Sequence, residues 1–460
     1  MRMFRFTKTI KTFLLGAMLI PLLHACKAGS QATEKTRLTI ATVNNGDMVV
    51  MQNLSRKFEA ENPDIELRWV VLEENILRQR TTTDVASRGG QFDVLTIGSY
   101  ETPIWAKRGW LKPLDDLPAE YDVDDLIDPI RTGLSSEGTL YALPFYGESS
   151  MLYYRRDLFE KAGITISENP TYDEVEEWAS QVHDRANGIY GICLRGKPGW
   201  GENMAFLTTL VNTNGGRWFD MDWQPQLDTP EWKSAVGFYV NVLNKYGPPG
   251  ASSNGFNENL ALFSTGKCGM WVDATVAAGL LSNPEESQVA DRVGFAPAPV
   301  ESYPNGSNWL WAWALAIPET SRSPEEAQRF ITWATSKEYI QLVADESGWV
   351  SVPPGTRTST YENPNYQEVA PFAKTVLNSI ESADIEHPSP LPTPYKGIQY
   401  VDIPEFQAIG TQVGQRMAEA LTDKVSVERA IEKSQNVAER FMRHTGYIEA
   451  NEQDRREAKR

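Results

Sequence analysis

The sequence has little histidine, little cysteine and a deficit of basic side chains. Its 460 residues include 4 histidines, 3 cysteines, and 44 Lys and Arg against 61 Asp and Glu. The net charge of -17 excludes an extended cationic surface, so nucleic acid is not an expected partner. Outside the N-terminal leader, the remaining histidines have no evident partner in the sequence, which argues against a histidine-based acid or base site. They are His183, His387 and His444.

The short motifs of common catalytic and metal sites are also absent. The sequence has no nucleophile elbow, no phosphate loop, no H-E-x-x-H pair and no paired zinc cysteines, so we expect neither a metal nor a cofactor. Beyond the leader, Cys193 and Cys268 remain. They could form a disulfide in an oxidising compartment, or they could be two separate buried thiols, and their spacing does not decide between these alternatives.

Residues 1–25 have the pattern of a secretory signal. Four basic residues precede an apolar run that is too short for a stable membrane span. These are Arg2, Arg5, Lys8 and Lys11. Residues 23–26 are similar to a bacterial lipobox, which predicts lipidation of Cys26, and ordinary cleavage near Ala25 or Ala28 is the alternative. Either route predicts an exported protein, free in the periplasm or anchored to the cell membrane by lipid.

Removal of the signal makes the protein more acidic. Subtracting its four positive charges from -17 gives -21, which argues against flat binding to an anionic membrane. Residues 26–36 form a polar linker, and residues 449–460 form a charged tail without an apolar anchor.

From residue 37 onward, strand patterns alternate with helix patterns. Residues 38–43, 65–71 and 92–97 read as strands, with helices between them that end at Asn62-Pro63 and Gly89-Gly90. This order predicts an α/β fold with a parallel sheet and helices on both of its faces.

A second α/β unit follows the first. Residues 151–154, 190–193 and 268–272 read as strands with helices between them, and the length of the chain fits two domains. Residues 308–317 read as a further strand, and long helices follow residue 404.

Polar residues follow the three strands of the first unit. Ligands bind beyond the carboxyl ends of parallel strands, so these residues are candidates for binding. They are Asn44, Asn45, Glu73, Glu74, Arg78, Tyr100 and Glu101. Turn and cap chemistry is the alternative for the asparagines. One of the two adjacent glutamates is expected to be a surface charge at a helix start, and we assign Glu73 to the ligand.

Seven segments carry a resemblance to a known family. They are residues 41–47 (ATVNNGD), 72–80 (LEENILRQR), 89–98 (GGQFDVLTIG), 103–115 (PIWAKRGWLKPLD), 144–150 (PFYGESS), 266–275 (GKCGMWVDAT) and 348–354 (GWVSVPP). Together they resemble the polyol branch of the extracellular solute-binding proteins, the mannitol and sorbitol receptors of ABC importers and relatives of maltose-binding protein. The likeness covers residues 37–445.

The resemblance implies a two-lobed periplasmic-binding-protein fold of type II, with crossover strands between the lobes and the ligand in the cleft. Lobe 1 would hold residues 37–144 and 273–335, and lobe 2 would hold residues 145–272 and 336–448. The implied partners are a small polyol or sugar and the membrane permease of an ABC importer. We expect a monomer whose lobes close on the ligand by a hinge motion.

The candidates in the remainder of the chain combine carboxylates with tryptophans. Charge-assisted hydrogen bonds suit the hydroxyls of a polyol, and aromatic faces stack on its C–H groups. The candidates are Glu148, Trp200, Asn203, Trp271, Asp273, Trp309, Trp311 and Trp349. A solvated loop charge is the alternative for Glu148. Trp309, Trp311 and Trp313 alternate on one strand face, and such stripes usually belong to the core, so we assign at most one of them to the ligand.

Three other functions stay open. A mono- or oligosaccharide would use the same clamp, and so would a receptor that feeds a sensor kinase. A secreted glycosidase that used Glu148 and Glu101 would need a similar cleft, but its two carboxyls would have to keep a fixed separation. Because the candidates come from two lobes that move, we expect a binding protein and not an enzyme.

Overall fold

The computed structural model describes residues 35–449. The predicted signal, the lipidation position Cys26 and nearly all of the predicted linker and charged tail lie outside these residues. The strands are β1 (Thr36–Val43), β2 (Ile65–Leu72), β3 (Val94–Gly98), β4 (Ser135–Ser136), β5 (Thr139–Leu140), β6 (Ala142–Glu148), β7 (Ser150–Arg155), β8 (Tyr190–Cys193), β9 (Cys268–Ala274), β10 (Val293–Pro297) and β11 (Trp311–Ala316).

Helices connect and cover the strands. They are α1 (Gly46–Glu61), α2 (Glu74–Ser87), α3 (Glu101–Lys107), α4 (Asp128–Gly133), α5 (Arg156–Ala162), α6 (Tyr172–Val182), α7 (Asn203–Thr213), α8 (Pro230–Tyr246), α9 (Phe256–Ser264), α10 (Ala277–Ser282), α11 (Pro324–Ala334), α12 (Lys337–Ser347), α13 (Thr358–Glu362), α14 (Pro364–Val369), α15 (Ala373–Glu381), α16 (Phe406–Leu421) and α17 (Val427–His444).

The first sheet has five strands in the order β2-β1-β3-β11-β6. β1 runs parallel to β2 and β3, as the β-α-β-α-β pattern predicts, and β11 runs antiparallel to β3 and β6. All five residues of β3 are buried, which agrees with its nearly continuous apolar sequence. We call this sheet and its helices lobe 1.

The second sheet has four strands in the order β10-β7-β9-β8, and we call it and its helices lobe 2. β8 is parallel to β9, and β7 is antiparallel to both β9 and β10. A disulfide joins Cys193 at the end of β8 to Cys268 at the start of β9. Of the two alternatives for these cysteines, the structure therefore has the disulfide.

The chain passes from the first sheet to the second at Ser149. This buried residue separates β6 from β7, and its backbone exchanges hydrogen bonds with Thr275, just after β9. The chain returns to the first sheet between β10 and β11. The strands thus place the first crossing at Ser149, whereas the predicted boundary followed residue 144.

Strand membership differs from the predicted lobes at a second place. The prediction began the return to lobe 1 at Asp273, but β9 continues in the second sheet to Ala274 and β10 also pairs there with β7. Strand pairing depends on contacts that are distant in sequence, so the alternation pattern alone could not supply it.

The C-terminal helices complete lobe 2. α16 packs on α17 and α7, and α17 also contacts α8. Within residues 35–449, no helix combines the length and the apolar character that a bilayer span requires.

Candidate ligand-binding site

A cavity lies between elements of the two lobes, and its empty space of about 460 Å³ includes the part that is open to solvent. The lining residues are Asn45, Glu74, Arg78, Tyr146, Glu148, Arg195, Trp200, Gly201, Ala205, Phe256, Val276, Trp309, Trp311, Trp313 and Gln399. Asn45 follows β1 and Glu74 follows β2, so the first sheet contributes through its carboxyl edge, as the strand order predicts.

Arg78 is the buried cation on the lobe 1 side of the cavity. Its Nη1 donates to Glu101 Oε1 at 2.6 Å, and its Nε and Nη2 donate to Glu74 Oε1 at 3.2 and 3.0 Å. The guanidinium carbon lies 4.1 Å from the ring centre of Trp200. Three of the five N–H groups are therefore used within the described part of the chain, and two have no acceptor there.

Arg195 is the corresponding cation on the lobe 2 side. Its Nε lies 3.0 Å from both carboxylate oxygens of Asp273, its Nη2 donates to Asp273 Oδ1 at 2.6 Å, and its Nη1 donates to the Gly201 carbonyl at 2.8 Å. Asp273 also accepts from Trp271 Nε1 and from the backbone N–H of Ala274. The aspartate thus fixes the arginine in a buried, bidentate ion pair.

Two carboxylates face the cavity with free acceptor oxygens. Glu148, at the end of β6, makes no side-chain hydrogen bond to any residue in the described part of the chain, and Glu74 uses only Oε1. Burial raises the pKa of Glu148 well above its ordinary value, and the charges of Asp273 and Glu74 raise it further, while Arg195 opposes them. A ligand hydroxyl could therefore bond to a carboxyl that has no partner within residues 35–449.

Four tryptophans form an aromatic wall around the two arginines. They are Trp200, Trp309, Trp311 and Trp313. The rings of Trp311 and Trp313 lie 5.5 Å apart, and each lies within 5 Å of the Arg78 guanidinium. The indole N–H groups of Trp200 and Trp309 are buried without a hydrogen-bond acceptor among the described residues. The wall thus offers two unused donors beside apolar ring faces.

The cavity also contains polar groups that were not predicted from the sequence. One of them is Tyr146, whose hydroxyl accepts a hydrogen bond from Asn45 Nδ2 at 2.7 Å. Gln399 is bonded through its side chain to the backbone of Leu310. A readable signal existed for Glu74, since it stands four residues before Arg78 on one helix face. Neither Gln399 nor Arg195 lies in a recognisable motif.

Of the predicted binding residues, six line the cavity. They are Asn45, Arg78, Glu148, Trp200, Trp309 and Trp311. Glu74 also lines it, whereas the assigned Glu73 does not. The tryptophan stripe contributes all three of its rings to the lining, and not only one.

Four predicted residues lie behind the lining and position others. Glu101 bonds Arg78 through one oxygen and accepts the Gly98 N–H through the other. Asp273 holds Arg195, and Trp271 is fully buried with its N–H on Asp273. The ring of Tyr100 lies 4.6 Å from Trp200, while its hydroxyl donates to the Ile403 carbonyl. These four residues therefore lie beside the cavity lining and not in it.

The other four predicted residues lie elsewhere. The Asn44 side chain is exposed, and Glu73 caps α2 by accepting the N–H of Ile76. Asn203 is buried and bonds the backbone of Gly199 and Gly414. Trp349 begins a half-buried 3-10 turn that packs on α10 and α12.

This chain belongs to the bacterial extracellular solute-binding proteins, because the model of that family matches residues 45–341. The two sheets with a cavity between them are the architecture of its solved relatives, so the predicted family and fold class are confirmed. The chain is similar to the mannitol-binding protein of Pseudomonas aeruginosa, with 56% identity over 410 residues, which cover 89% of this chain and 94% of that protein.

Solved structures extend the comparison. A solute-binding protein from Agrobacterium vitis with bound D-mannitol is 58% identical, with a TM-score of 0.87 over 89% of this chain and 99% of that one. A protein from Agrobacterium radiobacter in complex with ribitol shares the fold at 24% identity, with a TM-score of 0.78 over 89% and 99% of the two chains. By their names, these relatives are binding proteins.

Proposed function

We propose that this chain is the exported receptor of an ABC importer and that it binds an acyclic polyol, mannitol or sorbitol, in the cavity between its lobes. The observation that carries the proposal is the balance of hydrogen-bonding groups at the cavity. Among residues 35–449, Arg78 and Arg195 each have N–H groups without an acceptor, while Glu74 and Glu148 each have a carboxyl oxygen without a donor. Each hydroxyl of a polyol both donates and accepts, so it can meet both kinds of group.

The aromatic wall supports a carbohydrate-like ligand. Indole faces provide contact area for C–H groups, and the buried N–H groups of Trp200 and Trp309 would each gain an acceptor when a hydroxyl arrives. The relatives with bound D-mannitol and ribitol support an open-chain ligand in the same fold. A pyranose or an oligosaccharide is the competing ligand class.

One of the two carboxyls that a glycosidase would need does not face the cavity. Glu101, which was to act with Glu148, does not line the cavity and has both oxygens engaged, by Arg78 and by the Gly98 N–H. Glu74 and Glu148 come from different elements, each with a free oxygen, and this suits hydrogen bonding to a ligand. We therefore favour a receptor that delivers its ligand unchanged to a permease. We also propose that the receptor is a monomer and that Cys26 carries a lipid anchor.

Calorimetric titration of the mature protein tests the proposal. The ligands would be D-mannitol, D-sorbitol, ribitol, D-glucose and maltose. We expect saturable binding of one polyol per chain, with a hexitol bound at least about tenfold more tightly than glucose or maltose, which corresponds to about 1.4 kcal/mol. Absence of binding to every polyol, or preference for a cyclic sugar, would contradict the proposal. Hydrolysis of a glycoside that Glu148→Gln abolishes would establish the enzyme instead.

A further inference from the structure

The loop of residues 196–202, which follows β8 in lobe 2, packs directly against the start of α2 in lobe 1. We call it the Trp200 loop. Two of its glycines make the close approach possible. A Cβ on Gly201 would lie 2.5 Å from Glu74 Oε1, and a Cβ on Gly199 would lie 2.7 Å from Asn75 Oδ1. Contacts this short exclude any larger side chain unless the lobes separate or the neighbours move.

Lys197 makes the ionic contact of this interface. Its ammonium group pairs with Glu73, the residue that caps α2, and it lies 3.2 Å from Glu202 Oε1 in its own loop. The lysine side chain is 26% exposed, Glu73 is 42% exposed and Glu202 is 4% exposed. One cation thus bridges a carboxylate from each lobe.

None of the three residues lines the cavity. The ion pair is therefore separate from the groups that face a ligand, although Trp200 and Gly201 of the same loop do line the cavity. Because neither Lys197 nor Glu73 faces the cavity, we expect their contact to change affinity through the relative position of the lobes.

We propose that Lys197 and Glu73 form a latch, which stabilises the closed arrangement of the two lobes and strengthens ligand binding without touching the ligand. This inference rests on the proposed receptor function. When the lobes separate, Lys197 stays with Glu202 in its own loop but loses Glu73. The Glu73 pair therefore contributes to the closed arrangement alone, and a ligand bound there dissociates more slowly.

Glu73→Gln is the variant that isolates the latch. The amide oxygen can still accept the Ile76 N–H, so α2 keeps its cap, while the charge that attracts Lys197 is removed. Because the pair is partly exposed, the expected loss is that of a surface ion pair, about two- to fivefold in affinity. The weaker binding should arise from faster dissociation of the ligand. It should be equal for every polyol that binds, and it should become smaller in 1 M salt.

Glu66→Gln is the matched control. Glu66 pairs with Arg37 across β1 and β2, within lobe 1, and both side chains are exposed. We expect the control to bind as the wild type does. Equal affinities and dissociation rates for the wild type and Glu73→Gln would overturn the latch, and so would a loss that Glu66→Gln reproduces. Failure of the wild type to bind any polyol would instead overturn the receptor function, so the two failures are distinguishable.

Discussion

Replacement of Asp273 tests whether this residue positions Arg195 or contacts the ligand itself. The Arg195 and Asp273 side chains are only 7% and 1% exposed, and they are joined through both Nε and Nη2. Loss of one partner of such a pair leaves an uncompensated buried charge, which costs about 3–5 kcal/mol. Asp273→Asn should therefore lower the free energy of unfolding of the ligand-free protein by about this amount.

A double-mutant cycle with Arg195→Met distinguishes the two roles. If Asp273 acts through Arg195, the double variant should be more stable than the sum of the single losses predicts, by about 1–3 kcal/mol. Its affinity for polyol should match that of Arg195→Met alone, because the aspartate has nothing left to position. Urea unfolding followed by tryptophan fluorescence gives the stabilities, and calorimetry gives the affinities.

Independent effects of the two substitutions would contradict a positioning role for Asp273. Additivity of the two stability losses within about 0.5 kcal/mol would show that the residues do not act as a pair. An Asp273→Asn variant that keeps its stability but loses affinity, and loses it further when Arg195 is replaced, would make Asp273 a direct ligand contact.

Three further predictions concern the cavity and the disulfide. Trp309→Phe keeps an aromatic face but removes an indole N–H that has no acceptor among the described residues. It should weaken polyol binding about two- to twelvefold by calorimetry. Trp349→Phe, which lies away from the cavity, should have no effect. Replacement of Cys193 and Cys268 by serine removes a disulfide between residues that are 75 positions apart. It should lower the free energy of unfolding of the ligand-free protein by about 4 kcal/mol, measured in urea, without a change in binding stoichiometry. Equal stability of the two proteins would contradict this expectation. The raised pKa of Glu148 means that the folded protein holds this proton more firmly than the unfolded chain, so stability should fall as the pH rises above 4.5. Glu148→Gln should lose this part of the pH dependence, and an unchanged slope between pH 5 and pH 8 would contradict the buried position.

Element positions were largely readable from sequence, because periodicity and stop signals are local. The patterns predict strands at 65–71 and 190–193, and the structure has strands at Ile65–Leu72 and Tyr190–Cys193. The predicted strand at 308–317 is shorter in the structure, where it spans Trp311–Ala316. The backbone N–H groups of Trp309 and Leu310 donate to the side chains of Ser150 and Gln399 and not to the backbone of a neighbouring strand.

The local sequence pattern does not determine whether Glu73 or Glu74 faces the cavity. Both follow β2, and the phase of α2 decides which one faces inward. Glu73 adopts an extended cap conformation, while Glu74 is the first helical residue and lies on the face of Arg78. The i to i+4 spacing was a usable signal for this pair.

Arg195 could not be found by the same means. Its place depends on the register of β8 beside β9, in which Cys193 lies opposite Trp271. Continuing that register brings Arg195 to the level of Asp273, an arrangement that involves residues 78 positions apart. Tertiary pairing of this kind is not encoded in a short motif.

A crystal structure of the mature protein grown with D-mannitol would show where the polyol binds. We expect one polyol in the cavity between the lobes, with hydroxyls within hydrogen-bond distance of Glu74, Glu148, Arg78 and Arg195. Glu101 and Asp273 should remain behind the arginines. Mannitol bound outside this cavity, or held by Glu101 and Trp349 while Arg195 makes no contact, would contradict it.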